Sequence, residues 1–125
     1  MLGETLRRSV ALKSEPHAAA HLGGVEVALS SAAAVLRDAA AQIDAAPSSN
    51  AFALALRVRG AVENAATLVL RHASRAMGAG PLCRDPRVAR HVADLPIFLR
   101  QSHAERDLAE LGADDAKQDI EPWVL

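Results

Sequence analysis

Aromatic side chains are nearly missing from this chain: it has no tyrosine, and Phe52, Phe98 and Trp123 are the only aromatic residues among 125. Strands favour aromatic and β-branched residues, so an all-β sandwich or barrel is excluded. A stacking platform for single-stranded nucleic acid is excluded on the same ground. Cysteine is reduced to Cys83, which rules out an intramolecular disulfide and a cysteine-based zinc site. The expectation for Cys83 is a small, partly buried thiol. Charge of one sign is lacking too: 14 Lys and Arg face 15 Asp and Glu, for a net charge of −1. That balance argues against a general nucleic-acid binder. No uninterrupted run of about 18 apolar residues occurs, so no membrane span is expected. The start MLGETLRRSV is charged in its first turn and lacks the apolar run of a secretory signal. These absences together predict a cytoplasmic protein without nucleic-acid or membrane partners.

Alanine is what the chain has in excess, at 28 of its 125 residues. It is the best helix former, and it lets helices approach closely. Half the residues are apolar and the net charge is near zero, so intrinsic disorder is excluded. The length suits one domain with one core. The fold class expected is all-α.

Periodicity places the helices. Leu2, Leu6 and Val10 recur every fourth residue and predict a short helix over about 3–13, ended by Lys13-Ser14-Glu15-Pro16. From 16 to 44, Leu22, Val25, Leu29, Ala33, Leu36, Ala40 and Ile43 fall at helical spacing and mark the face expected to be buried. Gly23-Gly24 interrupts that helix, a cost of up to ~1 kcal/mol each unless a close helix contact needs the missing side chain. Ala46-Pro47-Ser48-Ser49-Asn50 is a break. A second long helix follows over 50–77, with Phe52, Leu56, Val62, Ala66, Val69, Ala73 and Met77 on its apolar face. Gly78-Ala79-Gly80-Pro81 stops it. Asp85-Pro86 restarts a helix as cap and first residue, and Pro96 is expected to kink or break it near Asp94. A last helix covers 102–111 and ends at Gly112, with Ser102 and Glu105 as a capping box. Short loops between long helices predict antiparallel neighbours, hence an up-and-down four-helix bundle. The organisation expected is a short helix over 1–14, a bundle over 15–111 and an acidic tail over 112–125. The tail's apolar tip, Trp123-Val124-Leu125, is expected to fray or to dock on the bundle or a partner.

Few residue groups suggest chemistry. His17 and His21 share a helix face, but spacing supplies no third metal ligand. Arg71, Arg75, Arg84, Arg87 and Arg90 gather around one loop, and arginine suits bidentate contacts with phosphate. Arg100 to Asp107 is the densest polar run, but neighbours on a helix point in different directions, so no Ser–His–acid triad follows.

The order of these landmarks resembles the C-terminal helical domain of acyl-CoA dehydrogenases, in a divergent actinobacterial-type branch. The landmarks are helices 16–44 and 50–77, then Met77-Gly78-Ala79-Gly80-Pro81-Leu82. Asp85-Pro86-Arg87-Val88 with Asp94 follows, and His103-Ala104-Glu105-Arg106-Asp107-Leu108 closes the series. The resemblance implies an FAD site shared between chains, contacted by Gly78, Gly80 and Arg75. It also implies an acyl-CoA substrate. Gln101 or Ser102 stands where the family has its catalytic Glu, and neither is a carboxylate base, which leaves His103 as the substitute. The chain lacks the family's N-terminal helical and β domains. The implied function is therefore a fragment or small subunit that completes a flavin site with a larger flavin-domain subunit. The alternative is a non-catalytic helical oligomerisation module, a homo-oligomer that has lost the flavin chemistry.

Overall fold

The computed structural model describes residues 2–13 and 15–117. Six helices follow one another: α1 (Leu2–Lys13), α2 (Pro16–Ala45), α3 (Phe52–Met77), α4 (Ala79–Arg84), α5 (Pro86–Leu99) and α6 (Ala104–Asp115). No strand occurs among the described residues, so the chain is all-α. Residues 118–125, with the apolar tip Trp123-Val124-Leu125, lie outside the described residues.

α2 and α3 form the frame, a long antiparallel hairpin turning at Ala46–Ala51. Pro16 starts α2 at its first turn, where a missing N–H costs nothing. Alanine builds the seam between the two helices: Ala28 and Ala32 of α2 meet Ala65 of α3, with Leu68 and Val69 beside them. Such small residues let the axes come close. α1 lies across one end of the hairpin and packs on both helices. A second cluster forms there from Leu2, Ala73 and Val88, flanked by Val69, Leu70, Met77, Leu82 and Val92. Leu6 is fully buried. α4 and α5 pack together against α3, and α6 lies along α3.

Several sequence expectations need correction. Of the α2 face expected to be buried, Val25 is buried, but the rest of the buried stripe is Ala28, Ala32 and Ala39, not the leucines. Leu29, Leu36 and Ile43 are each close to half exposed. Periodicity marks both stripes, one turned by a residue from the other, and α3 packs on the narrower alanine side. Phe52 and Val62 are likewise exposed. Gly78 adopts φ +67, a left-handed conformation that favours glycine, and its N–H donates to the Ser74 carbonyl. It ends α3 as expected, but α4 starts at once where only a turn was foreseen. α5 runs through Pro96 to Leu99, so of the expected kink or break near Asp94 the break does not occur. Pro96 sits in the last turn, so few hydrogen bonds downstream depend on it. Ser102 does not cap α6. Its hydroxyl donates to Glu63 Oε2 at 3.1 Å or to the Leu99 carbonyl at 2.9 Å, and His103 takes the cap position without a side-chain bond. Gly112 lies inside α6, which continues to Asp115. The Asp85 cap is as foreseen, accepting from the N–H groups of Arg87 at 2.9 Å and Val88 at 3.4 Å. Cys83 is exposed, not partly buried, because its neighbour Leu82 is the α4 residue that packs against the buried cluster.

α2 also carries an 18-residue window of mean hydropathy 1.4, of which 17% is buried. By length and composition it is apolar enough to cross a bilayer, although Glu26 and polar residues leave it no uninterrupted apolar run.

Candidate functional site

The residues expected to hold flavin sit at the outer corner after α3. Gly78, Gly80 and Arg75 are all exposed, as are the other corner arginines Arg71, Arg84, Arg87 and Arg90. Arg90 pairs with Asp94 one turn along at 3.2 Å. His103 is exposed on the far side of α5, at the start of α6. His17 is exposed, and no group of three metal-ligating side chains occurs among the described residues.

His21 has a partner that its spacing did not reveal. Its Nδ1 lies 3.1 Å from Nδ1 of His72, with the rings tilted at 55° and their centroids 5.3 Å apart. One ring donates and the other accepts, so the pair needs at least one neutral imidazole. The His72 ring lies over Gly24: a Cβ there would come within 2.6 Å of its Cε1, whereas Gly23 faces open space. Burial lowers the His72 pKa below 6.5, and the nearby charges of Arg71, His21 and Arg75 lower it further. Gly24, three residues after His21 on the same face, hinted at an incoming ring. Which α3 residue would supply it depended on the hairpin register.

Two apolar grooves run along the hairpin. The first, about 660 Å³, lies where α1 meets the hairpin. Leu22, Val25, Leu29, Val69, Leu95 and Phe98 line it, with Glu4, Arg7, Glu26, His91 and Asp94 at its edges. The second, about 550 Å³, lies nearer the hairpin tip. Leu36, Ala39, Ala40 and Ile43 of α2 face Leu54, Val58 and Val62 of α3 across it, and Arg59 and Glu63 stand at its edge. Phe98, 67% exposed at the end of α5, borders both. The grooves are the main feature that sequence reasoning missed. The leucine stripe was its signal, misassigned to the interior.

Folded chains of 13.1 kDa expose about 6,400 Å² by the usual scaling with mass. This chain exposes 9173 Å², about 2,800 Å² more than that scaling. No family model, no curated protein and no solved structure matches the chain, so none of these comparisons connects it with acyl-CoA dehydrogenases.

Proposed function

We propose that the chain is a non-catalytic helical oligomerisation module, which assembles with copies of itself through apolar helix faces. One observation carries this reading: large apolar side chains are aligned on the outside of a fold whose own seam is filled by alanine. Leu29, Leu36 and Ile43, seven residues apart on one face of α2, are exposed, as are Val62, Ile97 and Phe98. Large apolar side chains gathered on a surface mark an interaction site. The residues that the flavin resemblance singles out are spread over an exposed corner and the distant start of α6, a placement that suits a scaffold better than a reaction centre. The four-helix arrangement expected from the sequence then belongs to the assembly, since one copy supplies only two long helices. Light scattering on the purified full chain tests the reading. The expected result is a particle of at least twice the 13.1 kDa chain mass. A monomer at about 100 µM, well above the Kd of a stable interface, contradicts it.

A further inference from the structure

We infer that His21 and His72 form a two-imidazole chelate for a borderline divalent cation of the zinc, copper or nickel class, which clamps α2 to α3. The pair brings together donors from two helices, 51 residues apart in the chain, with their Nδ1 atoms 3.1 Å apart. A cation about 2.0–2.1 Å from each of two imidazole nitrogens, at square-planar or tetrahedral angles, sets those nitrogens about 2.8–3.4 Å apart. The hairpin therefore already holds the two donors at a chelating distance. A turn of the rings, now tilted by 55°, aims both lone pairs at one point. In the metal-free pair one Nδ1 carries the proton and the other accepts it. To take the cation, the donor ring moves that proton from Nδ1 to Nε2 by exchange with water, which leaves both Nδ1 lone pairs for the metal. Both rings stay neutral, and nothing is oxidised or reduced. Water can reach them, since neither ring is fully buried.

The fold positions the pair before any cation arrives. The His72 ring lies over Gly24, whose missing Cβ makes the room. Ala73 beside it is fully buried and anchors that turn of α3. Donors held in place lose little freedom on binding. The donor type selects the cation, because imidazole suits zinc, copper and nickel, whereas magnesium and calcium take oxygen ligands. No third His, Cys, Asp or Glu completes a metal-binding group among the described residues, so water fills the remaining positions. Arg71 and Arg75 are the fixed charges that bear on His72. Both are exposed, so solvent screens their repulsion of a cation, and they hold the site weaker than one with a carboxylate beside it. His17 is exposed one turn before His21 and lies outside the pair.

Calorimetric titration of the untagged full chain with ZnCl2 and NiCl2 tests the site, with MgCl2 as the hard-cation comparison. Cys83 is exposed and would compete for the metal, so serine replaces it in every sample. The expected result is one zinc or nickel ion per chain and no magnesium. Binding should be at least about tenfold weaker in His21→Gln and in His72→Gln, since even an outer-shell partner is worth that much. His17→Gln should leave it unchanged. Circular dichroism checks that the variants keep their helicity. Imidazole nitrogen NMR spectra of the chain with both histidines give a reading that needs neither variant. Zinc should shift Nδ1 of His21 and of His72 together, which a pair with a structural role alone would not show. The assignment is overturned if neither zinc nor nickel binds at about 1 mM. It is equally overturned if both glutamine variants bind like the parent, if His17→Gln abolishes binding, or if the two Nδ1 signals do not respond.

Discussion

Gly23 and Gly24 are adjacent in α2 and make opposite demands. Gly23 faces open space, so Gly23→Ala should raise stability by up to ~1 kcal/mol through helix propensity. Gly24→Ala gains the same propensity but drives its Cβ into the His72 ring, which must swing away and give up its bond to His21. The net effect should be a loss of about 1 kcal/mol or more. Urea denaturation of both variants checks this, and equal stabilisation by both would contradict the close contact. The same histidine makes stability depend on pH. Its pKa is lowered in the fold from 6.5, first by burial and then by Arg71, His21 and Arg75. The unfolded chain therefore takes up this proton more readily. The stabilising contribution is complete above pH 6.5 and fades as pH falls below it. Thermal melts between about pH 7.5 and 5.5 should show a larger decline for the wild type than for His72→Gln. Parallel declines would mean that the pair has no part in it. The doublet of glycines was legible as a close-contact signal, but its ring partner came from 51 residues away, a distance local spacing does not span.

Helix limits were legible wherever a local chemical signal exists. Pro16, the 46–50 break, Gly78 and the Asp85-Pro86 start all act through their own backbone or side chain. Ser102 was misread because a capping residue can also bond outward, and Glu63 of α3 offered it a partner. The buried face of α2 was misread because an alanine stripe and a leucine stripe both fit helical spacing, and only the approach of α3 chooses between them. Two substitutions separate elements that are pinned from those that are not. Asp85→Ala removes the cap of α5 and should cost about 1 kcal/mol, read as a lower urea midpoint. Leu6→Ala empties the fully buried contact of α1 and should cost about 2–5 kcal/mol, with α1 amides losing exchange protection first. If Leu6→Ala were as mild as a surface change, α1 would not be docked on the hairpin as described.

At the scale of the whole molecule, the all-α class followed from composition, but the count of helices in one bundle did not. Two long helices, four short ones and an alanine seam leave one chain with a small interior: among the described residues the core consists of Leu2, Leu6, Val25 and Val88 beside five alanines. The leucine-type residues that would fill a larger core lie along the grooves instead. The proposed self-association would account for both facts at once, with a second copy covering the exposed leucine-type faces. The exposed Ile97 and Phe98 at the end of α5 extend the same apolar border. Sedimentation equilibrium of the unmodified chain, from about 1 to 500 µM, measures this most directly. Association predicts a mass that reaches twice 13.1 kDa and returns towards 13.1 kDa on dilution. A mass of 13.1 kDa throughout that range would contradict it.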